Sequence, residues 1–261
     1  MDDPSVWLYV LMALAALAAG WIDAVVGGGG LIQLPALLLG FPGASPVQIL
    51  ATNKLGSICG TTVSSLTYFR RVRPDLSTAL PLALLAFVGS LAGALLASLI
   101  PKSAFNPIIL VVLVAVGAYT LAKPSMGQIS QLRFSGRAHL AVAGLIGLVI
   151  GVYDGALGPG TGSFFVFAMV GLLGYGFLQA SAKAKIANWA TNLAALCVFI
   201  PMGAVMWKVG LLMGVCNMLG AYLGARTAVA RGSGFVRTVF VVLLVAFILK
   251  IGYDTIAQFT G

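Results

Sequence analysis

An all-helical, polytopic membrane protein made of two copies of one five-segment unit is the fold class this sequence predicts, on three observations. Apolar residues fill 60% of the 261 positions and charged residues only 8%, against roughly 25% charged in an average soluble domain. The apolar residues come in long unbroken runs and not in ten-residue alternation, which selects helices over a barrel. Finally, Trp21 to Gly30, WIDAVVGGGG, returns as Val152 to Thr161, VYDGALGPGT, so that Asp154 stands 131 residues after Asp23.

The same offset, without a gap, pairs Gly27 with Gly158, Gly29 with Gly160, Gly40 with Gly171, Gly43 with Gly174, Gln48 with Gln179 and Lys54 with Lys185. It also pairs Gly89 with Gly220 and Gly93 with Gly224. Apolar runs fall at about 5 to 22, 28 to 41, 46 to 69, 77 to 100 and 105 to 122, then at 138 to 157, 160 to 173, 178 to 201, 207 to 229 and 235 to 253. Most approach the ~20 residues that span ~30 Å of hydrocarbon. The two runs after the glycine clusters have only about 14, short enough to be tilted or re-entrant. Residues 1–122 form the first membrane repeat, 123–137 (KPSMGQISQLRFSGR) a polar linker and 138–261 the second repeat.

Basic residues gather at Arg70, Arg71 and Arg73, at Lys123, Arg133 and Arg137, and at Arg226, Arg231 and Arg237. Ten crossings from an outside amino terminus put all three groups, linker included, in the cytoplasm, as the positive-inside rule asks. Both termini then face outward, Lys102 and Lys208 lie near outside turns, and an odd number of spans per repeat makes the halves antiparallel. Such inverted repeats, with polar glycine-broken segments at matching places, are the sequence signature of secondary transporters. The start, MDDPSVWLYV, has no positive n-region, so the first run is expected to be retained. Topology accounts for the 15 Lys and Arg against 6 acids without nucleic acid as a partner. Small-xxx-small spacings, such as Gly89 with Gly93 and Gly220 with Gly224, serve helix packing within a chain or between chains, which leaves the oligomeric state open.

With no glutamate in the chain, carboxylate chemistry rests on Asp2, Asp3, Asp23, Asp75, Asp154 and Asp254. Asp23 and Asp154 end apolar runs beside the glycine clusters, where an acid either caps the next helix or marks a substrate or proton pathway. Gly28, Gly29 and Gly30, and Gly160, Thr161 and Gly162 beside Pro159, break the helix and free backbone N–H groups. A helix restarting there points its positive dipole end at the break, a place for an anion; the alternative is a plain hinge. Lys54 and Lys185 lie about seven residues into their spans, either snorkelling or flanking a central anion from opposite sides. Asn53, Asn188 and Asn192 extend the same faces and bond anion oxygens or another helix. Lys183 points almost oppositely to Lys185 and is expected at the interface, as is His139 beside Arg137. Cys59, Cys197 and Cys216 read as core filler; no metal or cofactor is expected.

The paired glycine-aspartate motifs, ATNKLGS at 51 to 57 and AKIANWATNLAAL at 184 to 196 resemble the sulfite exporter TauE/SafE family of membrane permeases over essentially the whole chain. That resemblance implies an inner-membrane, multi-pass permease for sulfite or an organosulfonate, often coupled to the proton gradient or membrane potential. The anion follows from dipoles and lysines; the sulfur comes only from the resemblance. The expected function is alternating-access transport of a small anion with proton coupling as a candidate. An uncoupled anion channel or uniporter is the alternative. Cation transport needs the aspartates to dominate over the lysines. HExxH and GxSxG motifs are absent, which leaves an intramembrane enzyme with no support.

Overall fold

The structure, a computed structural model, describes residues 6–97 and 129–260, and every regular element among them is helical. In chain order these are α1 (Val6–Val26), α2 (Gly30–Gly40), α3 (Pro46–Val72), α4 (Leu76–Leu96), α5 (Gly136–Ala156), α6 (Thr161–Ala168, continued by a π-helical turn Met169–Leu173), α7 (Phe177–Phe199) and α8 (Trp207–Thr260). Within Trp207–Thr260 the helix is interrupted at Gly232, at φ 72° and ψ −170°, so the runs 207 to 229 and 235 to 253 are two helices joined across a kink. The run at 105 to 122, most of the linker and Lys102 lie outside the described residues.

Local chemistry explains the boundaries. Ser45 and Gln48 form a reciprocal capping box with Pro46 in the first turn of α3, and Arg73, left-handed at φ 50°, ends that helix before Pro74. α1 and α5 stop at Gly27 and Gly158, each at φ 89°, a conformation that glycine adopts without a Cβ clash. Four helices, α1, α4, α5 and the Trp207–Leu243 part of α8, are long and apolar enough to cross a membrane. Their outward residues, among them Leu14, Leu84, Leu95, Val149, Val215 and Leu223, are exposed and apolar, as a lipid-facing surface requires. α3 and α7 have the length, 27 and 23 residues, but turn their polar residues inward. α2 has 11 residues and α6 with its π turn 13, so at 1.5 Å per residue they reach about 16 and 20 Å, well short of a bilayer core.

Close glycine contacts fix how the helices run. Gly89 and Gly93 of α4 lie on the backbone of Leu148 and Val152 of α5, while Gly147, Gly151 and Gly155 return the contact to Leu82, Ala86 and Ser90, so α4 and α5 run in parallel. The contacts recur 131 residues away, where Gly220 and Gly224 of α8 meet Leu17 and Trp21 of α1, and Gly20 meets Asn217. Gly210 and Gly214 against Leu55 and Cys59 make α8 parallel to α3. α3 and α7 run oppositely, because Trp189 bonds Thr62 whereas Gln179 bonds Val72. These glycine spacings therefore serve packing within the chain.

The arginine-bearing connections share one end of the bundle. Gln131 and Arg133 donate main-chain bonds to Gly174 and Leu173, Ser130 accepts from Gly176 N–H, and Ser233 accepts from Leu178 N–H. Replacing Gly93 or Gly224 by Leu is expected to lower stability by about 1–3 kcal/mol. Gly234→Ala, in open space, should stay within about 0.5 kcal/mol. Unfolding of the purified protein in detergent checks both.

Candidate functional site

Two helix-break hairpins, α1–α2 and α5–α6, meet tip to tip. Ser163, in the first turn of α6, donates its N–H to Gly27 O (3.0 Å) and its hydroxyl to Val26 O (2.9 Å), closing the carbonyls that the end of α1 leaves open. Gly27 lies directly on Gly162, and a Cβ on either would overlap the other's backbone. Tyr153 O–H bonds Pro159 O at 2.6 Å, and Tyr68 O–H of α3 bonds Ala24 O at 2.9 Å.

Onto this junction α3 and α7 each bring a lysine, eight residues or about 12 Å from the helix start. Lys54 Nζ stands 2.5 Å from Asp154 Oδ2, and Lys185 Nζ stands 3.1 Å from Asp23 Oδ2 and also donates to the Asp23 main-chain oxygen. The pairing is reciprocal: each half of the chain supplies the lysine for the other half's aspartate. All four side chains are buried, Lys185 completely and Asp23 the least, at 13% exposed. Asp23 additionally accepts a long bond (3.4 Å) from Gly29 N–H, so it caps the break and pairs a lysine at once.

Of the residues singled out in the sequence, Asp23, Gly30, Asn53, Lys54, Asp154, Thr161, Gly162, Asn188 and Asn192 line one cavity, joined by Gly27, Ser57 and Gly158. It is small, with room for about one water molecule. Asn53 Oδ1 and Asn192 Nδ2, both buried, have no hydrogen-bond partner among the described residues. Gly28, Gly29, Gly160 and Lys185 stand behind the wall. Each of the two lysines expected to flank a central anion is paired with a carboxylate. Ser163, Tyr153 and Tyr68 were not anticipated; the hydroxyl of Ser163, one residue past the second glycine cluster, was the available signal.

A second polar cluster bears on two further expectations. Lys183 is fully buried, paired with Asp75 at 2.6 Å and stacked 4.0 Å over the Tyr175 ring. His139 is buried too, its Nε2 within 3.2 Å of Thr78 Oγ1 and 3.0 Å of the Tyr175 hydroxyl. Both lie near helix starts at the arginine-bearing end, but α4, α5 and α7 cover their side chains. Burial raises the Asp75 carboxyl, but bonds from Lys183 and Thr78 outweigh it and hold the group below its ordinary value.

The family model for the sulfite exporter TauE/SafE matches residues 12–251. The chain belongs to the sulfite exporter TauE/SafE family. It is 39% identical to a probable membrane transporter protein, ORF9, of Sinorhizobium sp, over 97% of this chain and 96% of that one. It is 36% identical to the probable membrane transporter protein YfcA of Escherichia coli K12, over 95% and 91%. With a probable membrane transporter protein of Haemophilus influenzae it shares 34% identity over 97% of both chains. No solved structure matches. This TauE/SafE member is accordingly a membrane transporter with apolar membrane-spanning helices.

Removing one partner of a buried pair strands the other charge. Lys54→Met or Asp154→Leu alone is expected to cost about 3–5 kcal/mol, and the double substitution much less than their sum. Additive losses in a double-mutant cycle of unfolding would show that the pair is not coupled.

Proposed function

We propose that this protein is a secondary transporter that carries a small anion, sulfite or an organosulfonate, through the junction of the two hairpins by alternating access. Two inverted five-segment repeats carry the motion, in an inner membrane with both termini outside. The reciprocal Lys54–Asp154 and Lys185–Asp23 pairs are the observation that supports this most directly. Contacts repeating at the 131-residue offset, with the equivalent helices α3 and α7 running in opposite directions, agree with a two-fold relation of the halves. The sulfur rests on the family description alone.

An anion bound by Lys54 takes the place of the Asp154 carboxylate, which then needs a proton or a new partner in a buried setting. Proton coupling follows from that exchange. Unpaired Asn53 and Asn192, with Ser57, Thr161 and Asn188, offer bonds to the anion's oxygens.

The test is thermal stabilisation of the purified protein by sulfite, thiosulfate, sulfate, sulfoacetate, taurine, carboxylates and alkali cations, since a ligand of the native state raises the melting temperature. A sulfur anion should stabilise selectively, and Lys54→Gln/Lys185→Gln should abolish the shift. Asp154→Asn, which frees Lys54, should tighten anion binding about tenfold, or 1.4 kcal/mol, and weaken its dependence on pH. Stabilisation by cations only, or none, would overturn the anion reading; unchanged affinity in Asp154→Asn would overturn the exchange.

A further inference from the structure

The 131-residue offset places equivalent contacts at the two ends of the bundle, and their chemistry differs. At the end that carries the arginine connections, Lys183 in α7 meets Asp75 at the start of α4. Thr78, His139 and Tyr175 complete a closed set of hydrogen bonds around that pair, at 3.0–3.2 Å, with Tyr175 O–H also 3.5 Å from Asp75 Oδ2. At the opposite end the corresponding residues are Thr52 for Lys183, Met206 for Asp75, Val209 for Thr78, Leu8 for His139 and Ala44 for Tyr175. The contact itself survives, because Thr52 Oγ1 accepts the Met206 N–H at 3.1 Å. Its surroundings are apolar: Leu8, Ala44, Met206 and Val209 pack with Met12, Leu50 and Phe199 in one hydrophobic cluster.

Position ties each contact to the central junction. Lys183 stands two residues before Lys185 on one continuous helix, and Thr52 stands two residues before Lys54 on another. A displacement of the first turns of α7 that parts Lys183 from Asp75 therefore also draws Lys185 from Asp23. The inter-repeat linker adds to the hold at this end: Ser130, Gln131 and Arg133 strap the α6–α7 turn through bonds to Gly176, Gly174 and Leu173.

We propose that the Asp75–Lys183 pair and its Thr78–His139–Tyr175 ring form an ionic latch that gates the site on the arginine-loop side, while the opposite side is closed by an apolar seal without charge. The latch holds the start of α7 and, through it, Lys185. Once it opens, both charges gain water: the Asp75 side chain is already 43% exposed, whereas Lys183 is fully buried while latched. The two gates thus respond to different conditions, one to charge and ionic strength, the other to apolar volume. This rests on alternating access but not on the identity of the cargo.

Hydrogen–deuterium exchange on the full-length protein in detergent tests it, because local opening exposes backbone amides segment by segment. Asp75→Asn and Lys183→Met should each raise exchange over 173–182 about tenfold or more, the scale of a lost charge-assisted bond, and leave 42–51 unchanged. The charge-exchanged Asp75→Lys/Lys183→Asp should restore protection, which a merely space-filling role would not do. Thr52→Val should affect only 42–51. In the unsubstituted protein, raising salt from about 0.1 to 1 M, where screening shortens from about 10 to 3 Å, should speed exchange over 173–182 only, which keeps the test open if a variant misfolds. Equal responses at both ends, no response over 173–182, or no recovery in the charge exchange would overturn the latch. Anion stabilisation of the wild type, run alongside, is independent of all these outcomes, so failure of the latch and failure of the anion reading are told apart.

Discussion

Each buried lysine at the centre of this protein depends on an aspartate from the opposite half of the chain. A lone ammonium or carboxylate at that depth would be costly, so neither half can hold its own charge in place without the other. Lys54 sits on α3 of the first half and Asp154 ends α5 of the second; Lys185 and Asp23 reverse the arrangement. Assembly of the halves and neutralisation of the centre are thus one event. The contact of Gly27 with Gly162 follows, because the hairpin tips must touch for both pairs to close, and only glycine leaves the room.

Breaking a helix away from water leaves carbonyls that require partners. Here the partners are specific. Ser163 takes Val26 O and Gly27 O, Tyr68 takes Ala24 O, Lys185 takes Asp23 O, and Tyr153 takes Pro159 O. What remains unspent lines the cavity, chiefly the amides of Asn53 and Asn192. Asp23 and Gly27 do both, holding the break and lining the cavity, while Gly28, Gly29, Gly160 and Lys185 lie outside its lining.

The duplication, the helical runs and the two breaks were legible in the sequence because each leaves a local mark: an offset, a length or a glycine with a proline beside it. Nine of the thirteen residues singled out for the site line a single cavity for the same reason, since helical spacing puts Asn188 and Asn192 on one stripe of α7 and the offset brings Asp23 and Asp154 together. Pairing was not legible. Lys54 has an aspartate at comparable depth in either half, and only the crossing of α3 with α5 decides for Asp154. The burial of Lys183 and His139 was not legible for a related reason: a polar residue near a span end looks open to water until the helices that cover it are placed, and α4 packs on both. The break at Gly232, by contrast, was legible: Arg226, Arg231, Ser233 and Arg237, with Gly232 and Gly234 among them, separate the two final apolar runs, and the chain leaves helical geometry there.

Symmetry of backbone and asymmetry of side chains have different consequences at the junction. Gly27 and Gly158 share φ 89°, whereas Gly29 is right-handed at φ −57° and its mate Gly160 left-handed at φ 76°, so the restart of α6 differs from that of α2. The polar groups are unequal as well: Asn53 corresponds to Ala184, Thr161 to Gly30, Asn188 to Ser57 and Asn192 to Thr61. A strictly two-fold pocket would accept an anion equally in two opposed orientations. This pocket places one amide on α3 and two on α7, which favours one orientation of any anion whose ends differ. For an anion held there as proposed, the lysine–aspartate pairs would set the charge and the unequal amides which way round it lies.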